Sequence, residues 1–374
     1  MIKELLENFN PQDYIVALVL VGFCISFVVA WASYPAIIKV AKEKHLLDTP
    51  DDRSSHSVTV PNLGGVGIYI GIVVAITIIG AILDTRSLLL ILGGMTILFF
   101  LGLKDDILIL SPRKKFIGQL VAALLLIVFT DTRIQGFSGL FEITLMPYTV
   151  SVLFTLFVYI LIINAYNLID GVDGLAGSLT LVACVTFGIA FYRYEDVSMM
   201  VLAAAAVGAL VPFLYFNFSR RRKMFMGDTG SMILGFIIAV LAIRFIDVSE
   251  SGATRLYHTS SPVLVLAFLF FPLLDTLRIF FIRLVIHKTS PFAADKNHLH
   301  HRFLSFGFTH GETTAIIAGI NCVIIGIAFA IQNLDIHWQL GLLLASGTLL
   351  YSLYFLFHWI RELLQKKALE VKSE

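Results

Sequence analysis

Apolar residues run along this chain in long blocks, and the polar residues are confined to the short stretches between them. A helix needs about 20 mostly apolar residues to cross a ~30 Å hydrocarbon core. Blocks of that length, or close to it, fall at 14–38, 65–83, 88–103, 116–130, 148–163, 178–192, 198–218, 230–246, 262–284, 313–331 and 339–360. The pattern predicts an all-α integral membrane protein of about eleven transmembrane helices. No polar run could hold a separate soluble domain, so residues 1–374 are expected to form one polytopic membrane domain with a short tail at 361–374.

Composition supports this reading, with 58% hydrophobic and only 14% charged residues and a mean hydropathy of +0.88, against roughly 25% charged in a soluble domain. The basic residues add an orientation. Nineteen of them lie in one alternating set of loops, including Lys39, Lys42, Lys44, Arg53, Lys104, Arg113, Lys114, Lys115, Arg220, Arg221, Arg222 and Lys223, and only six lie in the other. The positive-inside rule then places the N-terminus outside and the C-terminus in the cytoplasm. The net charge of +1 points to no partner, and there is no nucleic-acid signature. Cys24, Cys184 and Cys322 fall within spans, where they are expected to be small buried hydrophobes, and no disulfide is expected. No cleavable signal peptide and no transporter-like internal repeat is evident.

Five aspartates, Asp105, Asp106, Asp170, Asp173 and Asp228, sit at the mouths of apolar segments, all on the cytoplasmic side by this topology. A lone carboxylate at a helix end caps backbone amides or faces water. Five on one face suggest a divalent cation with anionic substrates. Asp105 and Asp106 are adjacent and repel unless a cation or proton lies between them. The segment Asn164 to Gly177 contains no Lys or Arg and is dense in Asn, Asp and Gly, which supply oxygen ligands and tight turns. It is no EF-hand, because the twelfth position from Asp170 is Leu181 rather than Glu. Asp228 reads either as the N-cap of its helix or as a rigid metal ligand beside Gly227.

The loop 39–64 carries Asp48, Pro50, Asp51, Asp52, Arg53, His56 and Pro61 and runs into Gly64, Gly65 and Gly67. It reads as a polar turn or as a glycine-rich approach of backbone amides to an anion, and it lacks the lysine and hydroxyl of a P-loop. The loop 285–312 holds Asp295, Lys296, Asn297, His298, His300, His301 and Arg302. These histidines read as hydrogen-bond donors to a pyrophosphate, with a surface patch that has no role and a zinc site as the alternatives. Asp275 and Arg278, three apart in a span, are expected to pair.

Taken together, these motifs resemble the polyprenyl-phosphate N-acetylhexosamine-1-phosphate transferases over residues 40–310. The family's aspartate pair matches Asp105 and Asp106, its lysine four before a glutamine matches Lys115 with Gln119, and its Asn and Asp loop matches Asn164, Asn167, Asp170 and Asp173. Its Met-Gly-Asp-x-Gly-Ser segment matches at Asp228, and its His-x-His-His signature at His298, His300 and His301 is similar to the branch using UDP-N-acetylglucosamine. Two positions depart. The usual Pro-Arg-Gly-Gly is here Pro61, Asn62, Leu63, Gly64 and Gly65, and Lys104 replaces an apolar residue before the aspartate pair.

The resemblance implies transfer of N-acetylglucosamine 1-phosphate from UDP-GlcNAc to undecaprenyl phosphate, with release of UMP, at a bacterial inner membrane. Other UDP-N-acetylhexosamines and UDP-MurNAc-pentapeptide are alternative donors, and an anionic-solute transporter is the alternative of another class. Mg²⁺ is the implied cofactor, with Mn²⁺ as a substitute, held by Asp228 with Asp105 or Asp173. Lys115, Asn164, Asn167, Asp170, His300, His301 and Arg302 are implied to bind substrate, and Asp105, Asp106, Asp173, Asp228 and His298 to serve catalysis, with Asp105 or Asp106 a candidate general base. The lipid bilayer is the expected surroundings, and the chain admits a homodimer.

Overall fold

A computed structural model describes residues 10–48, 59–83, 86–108, 110–251, 260–288 and 298–370. Pro50, Asp51, Asp52, Arg53, His56, Asp295, Lys296 and Asn297 lie outside the described residues. The fold is all-α apart from two short antiparallel strands, β1 (Leu47–Asp48) and β2 (Val60–Pro61), in register Leu47 to Pro61 and Asp48 to Val60.

The helices are α1 (Ile15–Glu43), α2 (Gly64–Gly80), α3 (Arg86–Leu108), α4 (Pro112–Thr130), α5 (Tyr148–Leu168), α6 (Leu175–Tyr192), α7 (Val197–Asn217), α8 (Gly227–Ser251), α9 (Ser261–Phe268), α10 (Phe270–Phe281), α11 (Leu299–Ser305), α12 (His310–Ile331) and α13 (Ile336–Glu370). Every expected span falls on a helix, except that 262–284 is divided between α9 and α10. Among the described residues, seven helices are long and apolar enough to cross a membrane, and the pair α9 and α10 makes an eighth. The protein is a multi-pass membrane protein.

The α8 helix lies at the centre: 89% of its apolar window is buried, against 22% for α1. The α3, α5, α2 and α6 helices pack around it, and α1 lies outside against α7 and α2. Close approach of α3 depends on Gly102, where a Cβ would meet the Thr229 Cα at 2.4 Å. This contact sets the C-terminal end of α3, with its aspartate pair, against the first turn of α8. The segment before α2 is stitched to the same place, as Gly64 and Gly65 donate their amides to the carbonyls of Phe225 and Met226 at 2.9 and 2.8 Å. Those two amides therefore serve the fold rather than an anion.

The α9 and α10 helices meet at an angle of 81°. A break exposes backbone groups that lipid cannot satisfy. Buried Asn321 of α12 bridges it, accepting the Phe271 amide at 3.2 Å and donating to the Phe268 carbonyl at 3.3 Å. Among the cysteines only Cys184 is buried. Cys24 and Cys322 lie on exposed faces of membrane helices, where lipid rather than protein surrounds an apolar side chain.

Candidate active site

The ends of α3, α5 and the starts of α4, α6 and α8 converge at one end of the bundle, and the acidic residues meet there. Lys115, on the first turns of α4, contacts the Asp105 carboxylate and lies 2.8 Å from Asp228 Oδ2. The other oxygen of Asp228 accepts from Asn167 Nδ2, which also donates to Ser231 Oγ at 2.9 Å. Asp105 is buried and accepts the Leu110 amide as well. Three charged side chains, Asp105, Lys115 and Asp228, thus alternate in sign, and the neutral amide of Asn167 completes the array from a fourth helix.

Asp106 does something different from its neighbour. Its Oδ1 accepts the Asp228 amide at 2.7 Å and Asn62 Nδ2 at 3.4 Å, and its Oδ2 accepts the amide and hydroxyl of Thr229 at 3.1 and 2.6 Å. The first turn of a helix leaves amides without intrahelical partners. Asp106 caps that turn of α8 from another helix, so Asp228 is not the cap of its own helix and its carboxylate is free to face Lys115 and Asn167.

Asp170 and Asp173 lie in the loop between α5 and α6. Burial holds the Asp170 carboxyl well above the usual carboxylate range, and the charges of Asp228, Asp106 and Asp173 push it further the same way. Asp173 is paired with Lys223 at 2.6 Å and lies 3.5 Å from His310 Nδ1, while its carbonyl accepts from Thr314 Oγ1 at 2.7 Å. Gly171 lies against the histidine segment, where an added Cβ would sit 3.2 Å from His300 Nε2 and 3.4 Å from His301 Cε1.

The histidines themselves are anchored from below. Buried Asp275 of α10 takes His298 Nδ1 at 3.2 Å and His300 Nδ1 at 2.9 Å on one oxygen, and the Leu299 amide at 2.7 Å on the other. His301 packs its ring on His300 at 4.4 Å between centroids, and Arg302 is exposed on α11. Asn164 lies one turn deeper than Asn167, donating to Gln119 Oε1 at 2.9 Å and to the Ile160 carbonyl at 2.7 Å, so it ties α5 to α4.

The match with known proteins covers these same elements. Residues 88–246, from α3 to α8, fit the profile of glycosyl transferase family 4. A probable undecaprenyl-phosphate N-acetylglucosaminyl 1-phosphate transferase of Bacillus subtilis (strain 168) is 31% identical over 344 residues, which is 91% of this chain and 88% of the relative. The chain belongs to glycosyl transferase family 4. Two further family 4 relatives, the undecaprenyl-phosphate alpha-N-acetylglucosaminyl 1-phosphate transferases of Escherichia coli (strain K12) and Yersinia pestis, are each 30% identical over 322 residues, 84% of this chain and 84% and 85% of theirs.

For this family 4 chain, the sequence motifs pass over five residues that the structure brings to the site. Asn62 and Thr229 hold Asp106, Lys223 and His310 hold Asp173, and Asp275 holds the histidines. Lys223 is hidden at the end of the basic run Arg220, Arg221 and Arg222, whose uniform charge gives no sign that one member points inward.

Proposed function

We propose that this protein transfers N-acetylglucosamine 1-phosphate from UDP-GlcNAc to undecaprenyl phosphate, giving undecaprenyl-pyrophosphoryl-GlcNAc and UMP, at the cytoplasmic face of a bacterial inner membrane. The observation that carries this reading is the cluster of Asp105, Lys115, Asn167 and Asp228 at converging helix ends, in a chain that belongs to family 4. An enzyme joining a water-soluble nucleotide sugar to a lipid phosphate needs its polar groups at the membrane surface, where both reactants can reach them.

An oxygen of the lipid phosphate attacks the sugar-bearing phosphorus. The bond from that phosphorus to the bridging oxygen breaks, and the oxygen leaves with UMP. A phosphate monoester has a second pKa near ~6, so the nucleophile is already largely dianionic at neutral pH and needs no base. Four donors occupy the roughly four lone-pair sites of the Asp106 carboxylate, so its first task is to hold the start of α8. A single in-line displacement follows, driven by positioning and charge neutralisation.

Both reactants are anions and meet beside carboxylates, so cations must offset the repulsion. Lys115 is placed to turn from Asp105 and Asp228 to a phosphate oxygen, and Lys223 and His300 lie against the Asp170–Asp173 loop. The donor set fits Mg²⁺, since the hard carboxylate oxygens of Asp105 and Asp228 outnumber the single ammonium between them. Asp228 and Asp105, with Asp170 nearby, are the residues that would hold it, and when bound it would neutralise the pyrophosphate and the leaving UMP. Mn²⁺ has the same preference for oxygen ligands.

Release of UMP by the purified protein tests the reading. Product is expected only when UDP-GlcNAc, undecaprenyl phosphate and Mg²⁺ are all present. A panel of UDP-sugars defines the donor, and UMP formed without the lipid phosphate would rule the transfer out.

A further inference from the structure

The Asp275 carboxylate is the one buried acid near the site that the proposed chemistry leaves unused. It is fully buried in α10, beyond the bend that follows α9, and it lies more than twenty residues in sequence from both histidines that it holds. A carboxylate accepts hydrogen bonds, so His298 and His300 donate to it from Nδ1–H. The Leu299 amide fixes the second carboxylate oxygen and with it the plane of the group. Both imidazoles are thereby held by the same ring atom, and their rings stack at 5.2 Å between centroids.

The opposite ring atom of His300 has a different fate. His300 is fully buried, and its Nε2 has no hydrogen-bond partner among the described residues. Leaving a buried nitrogen unpaired is costly, and a fold tolerates the cost where a ligand completes the bond. Nε2 faces Gly171, the residue between Asp170 and the rest of the acidic loop, and the missing side chain there is what lets the ring come so near.

We propose that Asp275 is a positioning residue, which grips His298 and His300 by Nδ1 and turns the unpaired Nε2 of His300 toward the Asp170–Asp173 loop, to meet a phosphate oxygen of the nucleotide sugar when it binds. This rests on the transferase reading given above. The arrangement matches the general device in which a carboxylate sets the tautomer and orientation of a working imidazole. The deep location also has a reason: an anchor on α10 lies under the histidine segment, where solvent cannot compete for the Nδ1 protons.

A double-mutant cycle tests it. Asp275→Asn is expected to lower kcat on the order of 10- to 100-fold, and His300→Ala by a comparable factor. In the His300→Ala background, Asp275→Asn is expected to cost less than about a further 2-fold, because the residue through which it acts is gone. Losses that multiply would overturn the proposal and leave Asp275 a packing residue. Since the variants could fold poorly, the wild-type protein gives a second measurement. Nitrogen NMR of ¹⁵N-histidine protein in nanodiscs, assigned by difference against His300→Ala, is expected to find a protonated Nδ1 on His300, and a bare Nδ1 would overturn the assignment. So would a transition metal bound in one-to-one amount and lost in Asp275→Asn, since the two Nδ1 atoms and the carboxylate are close enough to ligate one ion. If wild type fails to release UMP, the transferase reading falls, while the NMR result still decides how the histidines are held.

Discussion

Asp106 at the end of α3 accepts the backbone amide of Asp228 at the start of α8, at 2.7 Å. One member of the aspartate pair therefore holds the helix that presents the key carboxylate, while the other shares Lys115 with that carboxylate. The two acids differ in sequence by one position and in role entirely. Asp106→Asn should separate the roles by stability. An amide offers a single accepting oxygen, so donors on Asp228 and Thr229 lose partners at a cost of about 1–3 kcal/mol. The expected result is a lower melting temperature in detergent together with reduced turnover. Lost turnover with an unchanged melting temperature would return Asp106 to the role of a base.

Asp228→Ala removes the acid that faces both Lys115 and Asn167. UMP release should fall by at least about 10²-fold. The α8 start keeps its cap from Asp106, so the melting temperature should change little. Near-normal turnover in this variant would remove Asp228 from the chemistry.

Asp170 gives a pH dependence whose sign can be worked out. Its carboxyl is raised in the folded protein by burial and then by neighbouring carboxylates. In the unfolded chain it titrates near ~3.9. As pH rises from there, the unfolded state loses its proton first, so folding stability falls until the higher folded pKa is passed. Asp170→Asn removes this penalty. Without metal, the variant should melt above wild type at neutral pH, and the gain should vanish below about pH 4. Added Mg²⁺ should then raise the wild-type melting temperature more than that of the variant, and equal shifts would exclude Asp170 from the cation's surroundings.

Asn321 should matter for stability far more than an asparagine on a membrane helix usually does. Asn321→Leu leaves the Phe271 amide and Phe268 carbonyl of the bend unpaired in an apolar setting. A loss on the order of 1–3 kcal/mol is expected from unfolding in detergent. An unchanged protein would mean that the bend satisfies itself.

Much of this was legible in residue order alone, and the reason is physical. Spans show because lipid demands unbroken apolar runs: each expected span but 262–284 lands on one helix, and among the described residues seven of the helices, or eight spans with the bent pair, are long and apolar enough to cross. The acidic motifs show because charge at such places is costly and therefore conspicuous. What stayed hidden depends on three-dimensional pairing. The break at Leu269 lies inside a continuous apolar run, and its remedy, Asn321, is on another helix. Asp275 looked like a local partner for Arg278, three residues on, and nothing in the spacing indicates that it serves histidines on a separate segment. Asn164 and Asn167 look equivalent in sequence, yet nearly one helical turn apart they serve a helix contact and the acidic centre respectively.

Asn321 at the bend and Thr314 beneath Asp173 belong to one continuous helix, α12, which at 22 residues spans about 33 Å. Bilayer thickness acts on the tilt of such a helix. A change in tilt shifts the joint under the histidines and the floor of the acidic loop in the same movement. Turnover measured across lipids of graded acyl length thus reads how far the hydrocarbon around the protein sets the spacing of its reactive groups.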